Sequence, residues 1–167
     1  MIAPAWVQTM AAYNAGMNRR LYAAAARLPE AARRRDGGAF WGSIHGTLAH
    51  LLWGDRMWMA RFAGWPRPAQ SLAESAMLEP DFAVLCAARE AADAGIVAWA
   101  ATVEAGWLAG ELRWFSGASQ RQRQAPCALL VTHFFNHQTH HRGQAHALLT
   151  AAGEQTGDTD LFLVVAG

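Results

Sequence analysis

The segment HFFNHQTHHRGQAHALL, residues 133–149, contains five of the chain's seven histidines and lies in its last long periodic stretch. In a helix with 3.6 residues per turn, one face carries the side chains of Leu130, His133, His137, His141, Gln144 and Leu148. Pro126 can open this helix, and Gly153 can end it after about Ala152. We expect this stripe to face a core. Each buried imidazole then needs a hydrogen-bond partner or a metal, because an unsatisfied buried polar group costs about 1–3 kcal/mol.

Three other segments repeat apolar residues at steps of three and four, which predicts helices. They run from Trp6 to Leu28 before Pro29, from the capping residue Ser43 to Phe62 before GWPRP, and from Pro80 to Gly106. Four helices of roughly 20 to 27 residues are typical of a four-helix bundle. The sequence therefore predicts an all-α protein in which residues 1–167 form a single helical-bundle domain.

The connections between these helices are polar or alternate in polarity. EAARRRDGG, residues 30–38, is predicted to be a loop between the first two helices. From Leu108 to Phe115 the residues alternate in character, and SGAS then forms a turn-like break before RQRQ. This pattern predicts a short β-hairpin between the third and fourth helices.

Composition excludes several classes of partner. The 167 residues are 53% hydrophobic with a net charge of +1, so charge alone does not favour nucleic acid or an anionic membrane. No run of about 18 apolar residues indicates a transmembrane helix, and the first residues do not resemble a signal peptide. Cys86 and Cys127 form no CxxC pair. We expect an unprocessed protein of the reducing cytoplasm.

Two histidines of the last helix have the spacing of metal ligands. His137 and His141 are four residues apart, so their rings lie one turn apart on the same side of the helix, as in HExxH. Gln138 replaces the glutamate of that motif, so the general base of a metalloprotease is missing. A third ligand should come from a facing helix, and His50 is the best candidate because Gly46 and Gly54 leave space around it. The alternative is a buried hydrogen-bond network of histidines without metal.

Two segments resemble the signature regions of the DinB-like superfamily. They are GSIHGTLAHLLWGDRMWMARF, residues 42–62, and HFFNHQTHHRGQAHALL, residues 133–149. The resemblance implies a four-helix bundle over nearly the whole chain. It also implies a divalent metal ion held by His50, His137 and His141, the same three residues that spacing favours. Imidazole ligands suit several ions, among which zinc and nickel are favoured here.

The expected function follows from three ligands, which leave coordination positions free for water or substrate. A metal in such a site activates water for hydrolysis or binds a thiol for transfer. The resemblance implies a transferase that moves a low-molecular-weight thiol cosubstrate to an electrophilic small molecule. A metal-dependent hydrolase is the alternative enzyme, and a metal-binding stress-response module without turnover is the alternative of a different class.

Other polar residues allow two interpretations each. Asp55 lies in the apolar stripe of the second helix, so it should pair with an arginine or a histidine N–H, structurally more than catalytically. Arg142 either forms an ion pair with a neighbouring helix or binds a substrate anion. The remaining candidates either orient the metal ligands or lie on the wet flank of the helix, and they are His133, Asn136, His140 and Gln144. His146 points away from this face and is expected to be a surface residue.

The abundance of tryptophan and methionine predicts assembly. The chain has 8 tryptophans and 6 methionines, many of them on the first two helices. One bundle core has limited room for such large side chains, and leftover apolar surface is commonly buried in a symmetric dimer. We expect a homodimer.

Overall fold

The computed structural model describes residues 2–117 and 119–165. Its α-helices in that range are α1 Pro4–Arg27, α2 Glu30–Arg34, α3 Ile44–Ala63, α4 Phe82–Thr102, α5 Ala105–Leu108, α6 Cys127–Ala151 and α7 Leu161–Val165. A 3₁₀ segment spans Ser75–Met77. The long helices α1, α3, α4 and α6 have 24, 20, 21 and 25 residues, and they pack together as the predicted bundle. The predicted fold class is confirmed.

Side chains and glycines define the helix ends. The Ser43 hydroxyl accepts a hydrogen bond from the Gly46 amide at 3.0 Å, which caps α3 as predicted. Gly64 ends α3 in the left-handed conformation, with φ of 69°, which is unfavourable for other residues. Pro80 is not the first helical residue, contrary to expectation. The Asp81 carboxylate instead accepts hydrogen bonds from two amides and caps α4.

The connections differ in detail from their predictions. Strands β1 Glu111–Ser116 and β2 Arg121–Pro126 form an antiparallel hairpin, with Trp114 opposite Arg123. The hairpin is therefore confirmed, but its first strand begins later than the alternation suggested, because Leu108 still belongs to α5. The predicted loop at 30–38 contains the short helix α2, across which Glu30 and Arg34 pair at 2.8 Å.

The bundle interior has two apolar clusters separated by a polar layer. Leu21, Leu48, Leu85 and Leu149 belong to one cluster, and Val7, Met59, Ile96 and Phe134 belong to the other. Each long helix contributes one residue to each of these two sets. On each long helix, at least one buried polar residue lies between the two apolar residues named above. These polar residues are Asn18, Asp55, Arg89, Asp93 and Gln138.

These five residues form what we call the buried charge network. The Arg89 guanidinium lies 2.6 Å from Asp55 and 2.8 Å from Asp93. Asn18 donates to Asp93 at 2.9 Å, and Gln138 donates to Asp55 at 2.8 Å. The expected arginine partner of Asp55 is thus confirmed. Because the network draws on α1, α3, α4 and α6, it ties all four long helices together.

The predicted core-facing stripe of α6 is only partly right. Leu130 and His141 are buried as expected, whereas His133 is exposed and His137 is only partly buried. Residues outside the predicted stripe are buried as well, and they include Val131, Phe134, Phe135, Gln138, Arg142, Ala145 and Leu149. Gln138 and Arg142 are polar and were not part of the predicted stripe. They are buried because Gln138 bonds to Asp55, while Arg142 bonds to Thr139 and lies over the Tyr13 ring.

Candidate metal centre

Helices α3 and α6 run antiparallel and bring the three predicted ligands together. His50 on α3 packs against His137 and His141 on α6, with ring centroids 5.4 Å and 4.5 Å away. The two α6 rings are 4.4 Å apart. One nitrogen from each of the three residues lies within 4.8 Å of the others. The geometry can hold a metal ion.

A serine orients His50. Its Nδ1 lies 2.8 Å from the Ser75 hydroxyl oxygen, and that hydroxyl donates its own hydrogen to the Leu72 carbonyl at 2.7 Å. The serine oxygen must therefore accept from the His50 Nδ1–H. This tautomer leaves a lone pair on Nε2, which faces His137 Nε2 at 3.4 Å.

A glutamine orients His141 in the same way. His141 Nδ1 lies 2.8 Å from the side-chain oxygen of Gln144, which only accepts hydrogen bonds. The imidazole therefore carries its proton on Nδ1 and keeps a lone pair on Nε2. Gln144 is one of the residues expected to orient the ligands, and its hydrogen bond fits that role.

His137 completes the cluster with an unpaired ring. Its Nδ1 is buried and has no hydrogen-bond partner among the residues that the structure describes, while its Nε2 faces His50. Burial, followed by the nearby histidines, lowers the pKa of His50 to about 3 and that of His137 to about 4. Burial also lowers the pKa of His141. All three rings are neutral at pH 7, the form that binds metals.

The cluster fits a cation better than it fits a closed hydrogen-bond network. The hydrogen bonds of His50 and His141 point both remaining nitrogens inward as acceptors. His137 can give at most one N–H to the other two. Lone pairs turned toward a common point are stabilised by a shared positive ion.

Two glycines of α3 make room for the His137 ring and for the backbone of Trp41, which their spacing did not predict. A Cβ at Gly54 would lie 2.7 Å from the His137 ring, so this glycine accommodates His137 rather than leaving open space around His50. A Cβ at Gly46 would lie 2.5 Å from the carbonyl oxygen of Trp41. The loop before α3 can therefore approach closely and bring Trp41 to the site.

Trp41 and Ser75 are the site residues that sequence reasoning missed. The Trp41 ring stacks on His50 with centroids 3.9 Å apart and planes at 19°, and Trp53 flanks His50 at 5.9 Å. A tryptophan two residues before a helix cap was the only sequence signal for Trp41. Ser75 gave none, because it lies 25 residues from His50 in a loop without periodicity.

The other predicted residues lie at the margin of the cluster or away from it. His133 and His140 have ring centroids 6.1 Å from His137 and 4.9 Å from His141, without a hydrogen bond to either ligand within the described residues. Asn136 is exposed. Asp55 belongs to the buried charge network, and Arg142 bonds to Thr139, so neither contacts a candidate ligand through these bonds.

Two histidines outside the cluster have partners of their own. His45, in the first turn of α3, is buried and bonds through Nε2 to the Glu79 carbonyl at 2.7 Å. His146 was expected to be a surface residue, but it has a hydrogen-bond partner. Its Nδ1 lies 2.5 Å from the hydroxyl of the buried Thr156, in the segment that follows α6.

The fold and the site define a class: a four-helix bundle that turns three neutral imidazoles from two helices toward one point, with the geometry of a metal centre. The sequence model of the DinB family matches residues 1–165, and the chain belongs to this family. Comparison with curated proteins and with solved structures gives no match. No helix within residues 2–117 and 119–165 is long and apolar enough to cross a membrane.

Proposed function

We propose that this protein binds one divalent metal ion through His50, His137 and His141 and acts as a metal-dependent enzyme on a small molecule. The observation that carries the proposal is that two of the imidazoles each place Nδ1 against an oxygen that accepts a hydrogen bond. Ser75 and Gln144 hold the protons of two imidazoles on Nδ1, so that Nε2 remains available as a ligand. Metal-binding histidines are typically held in this way through their second nitrogen.

Zinc or nickel is the proposed ion. Imidazole is a ligand that both ions accept readily, and within the described part of the chain no carboxylate or thiolate joins the cluster. Three protein ligands leave at least one coordination position for a substrate, which is typical of catalytic sites. A bound ion would supply Lewis acidity, either to activate a thiol or to activate water.

Transfer of a low-molecular-weight thiol to an electrophile is the reaction we propose first, because relatives in the wider superfamily suggest it. The chain's own residues shield and orient the reacting groups. Trp41 covers one face of the His50 ring and keeps water from it, while Ser75 and Gln144 fix the ligand orientations. Metal-dependent hydrolysis at the same site is the second candidate, and metal binding without turnover is the third.

Elemental analysis of the untagged protein, followed by thermal shifts with candidate thiols, separates these candidates. We expect one ion per chain, and stabilisation by a thiol only when the ion is present. Metal-dependent ester hydrolysis without any thiol effect would favour the hydrolase. A metal-loaded protein that does neither would be a binding module, and a protein that binds neither zinc nor nickel would contradict the proposal.

We also propose that the protein is a cytoplasmic homodimer. Both cysteines, Cys86 and Cys127, are free thiols, which suits a reducing compartment. Large apolar side chains remain on the surface, including Phe40 at 78% and Phe162 at 67% exposure, and a partner subunit would bury such groups. Light scattering at micromolar concentration should give twice the chain mass, and a monomer mass would contradict the dimer.

A further inference from the structure

A line of aromatic side chains leads away from the histidine cluster along the α3–α6 interface. The His133 ring lies 6.1 Å from His137, and the Trp58 ring lies 5.2 Å from His133. Trp114 from strand β1 continues the line, with its centroid 6.1 Å from Trp58. His133, Trp58 and Trp114, which we call the aromatic track, join the candidate metal centre to the hairpin.

Arg61 stands at the far end of the aromatic track. Its guanidinium lies 4.5 Å from the centre of the Trp58 ring and 5.9 Å from that of Trp114. Two indole rings near the same guanidinium restrict its position and cover part of its surface. The hairpin thereby takes part in positioning a cation, because it contributes Trp114.

The charge of Arg61 is not balanced by an acidic residue. Among the described residues, no carboxylate lies within ion-pair distance of its guanidinium, whereas Arg56, five residues earlier on α3, approaches Glu79 at 4.0 Å. Burial and the neighbouring cation Arg67 both lower the pKa of Arg61. A partly buried cation beside a second cation is a favourable place for an anion.

The separation between the two ends sets the length of a ligand. Arg61 is eleven residues after His50 on α3, which corresponds to roughly 16 Å along the helix. Long side chains lean toward the helix N-terminus, so the guanidinium lies nearer to the level of Trp58, roughly 12 Å from His50. A molecule that reaches both ends is therefore elongated.

We propose that Arg61, held by Trp58 and Trp114, is a binding residue for an anionic group at the remote end of an elongated substrate whose reacting end lies at the histidine cluster. This inference rests on the proposed function. The anionic group is a carboxylate or a phosphate, which the guanidinium binds through paired hydrogen bonds. The middle of the substrate is apolar or aromatic and lies along His133 and Trp58.

Calorimetric titration of the zinc-loaded protein with thiols of two lengths tests the inference. The probes are mercaptohexanoate and mercaptoundecanoate, each compared with the mercaptoalcohol of the same length. We expect the long carboxylate to bind roughly tenfold more tightly than the long alcohol, since a charged hydrogen bond contributes that much. The short pair should bind alike, because the short carboxylate cannot reach Arg61.

Variants assign the difference to Arg61. Arg61→Gln should abolish the advantage of the long carboxylate and leave zinc affinity and long-alcohol affinity unchanged. Arg56→Gln is the matched control on the same helix and should keep the advantage. Equal affinity of the two long probes for the wild type, or an advantage that survives in Arg61→Gln, would overturn the inference.

A thiol-free probe separates this inference from the proposed reaction. Undecanoate should bind the metal-free wild type weakly and the metal-free Arg61→Gln variant more weakly still. If no thiol binds the zinc form but undecanoate shows this dependence on Arg61, thiol transfer is wrong and the anion site stands. If undecanoate also binds independently of Arg61, both proposals are wrong.

Discussion

Two clusters of polar side chains lie near the middle of the bundle, the buried charge network and the histidine cluster, and their hydrogen bonds are arranged in opposite ways. In the buried charge network, Arg89 meets Asp55 and Asp93, and each carboxylate also accepts from an amide. In the histidine cluster, hydrogen bonds fix the outer nitrogens and leave inner nitrogens facing one another. Charges that are compensated inside the protein suit a structural role. Ring nitrogens that are left as acceptors without a donor suit the binding of a ligand.

The largest expected effect tests the structural role of the buried charge network. Arg89→Met should lower the free energy of unfolding by about 3–5 kcal/mol, because it leaves two buried carboxylates without their cation. Urea denaturation followed by circular dichroism measures the change. Zinc bound per folded chain should remain one.

A second arginine provides the control for that experiment. Arg56 pairs with Glu79 at 4.0 Å with about 30% of its side chain exposed, so Arg56→Met should cost at most about 1 kcal/mol. An equal loss in the two variants would mean that the buried charge network contributes no more than a surface pair.

The next largest effect tests metal binding by the histidine cluster. His50→Ala should weaken zinc binding by more than about 100-fold, since even residues that only orient ligands contribute 10–100-fold. The helical circular dichroism should persist, because the two apolar clusters do not depend on His50. Competition with a chromophoric chelator gives the affinity.

His140→Ala is the matched control, since this histidine is exposed on α6 beside His141 and should leave zinc affinity unchanged. His146 serves less well, because it bonds to Thr156. One tightly bound ion per chain in His50→Ala would return the cluster to a metal-free hydrogen-bond network.

A smaller effect concerns the residues that fix the tautomers. Gln144→Leu and Ser75→Ala should each reduce zinc affinity by about 10–100-fold, because His141 and His50 lose the acceptors that hold their protons on Nδ1. Asn136→Leu, at an exposed position of the same helix, should change nothing. The same chelator competition measures all three variants, and unchanged affinity in both orienting variants would contradict the assigned protonation.

The smallest effect is the pH dependence of the metal-free protein. Burial lowers the pKa of His50 to about 3 and of His137 to about 4, below the usual value near 6.5. As the pH falls below 6.5 the unfolded chain takes up protons that the folded chain does not, so stability decreases. At pH 5.5 each of these two histidines should have lowered the free energy of unfolding by about 1 kcal/mol.

The comparison of variants isolates that contribution from the titration of carboxylates. Denaturation of the metal-free wild type and of His50→Ala between pH 7 and 5.5 should show a shallower decrease in the variant. Parallel curves would mean that His50 is protonated as easily in the folded protein as in the unfolded chain.

The helices, the hairpin and the three clustered histidines could be predicted from the sequence. Helix periodicity, caps and the four-residue spacing of His137 and His141 are local properties, so they can be counted along the chain. His50 required a resemblance to known sequences or an argument about facing helices. Asp55 was expected to pair because an isolated carboxylate in an apolar stripe is costly.

The side chains that complete the histidine cluster and the buried charge network could not be predicted, because they depend on how distant segments pack together. Ser75 and Trp41 reach His50 from loops whose paths depend on packing, including the close approach that Gly46 permits. The burial of Gln138 likewise could not be predicted from the sequence, because it depends on Asp55 and Arg89 being in place around it. A polar residue becomes a core residue when partners from other helices satisfy its hydrogen bonds, and such partners are not encoded by spacing along one helix.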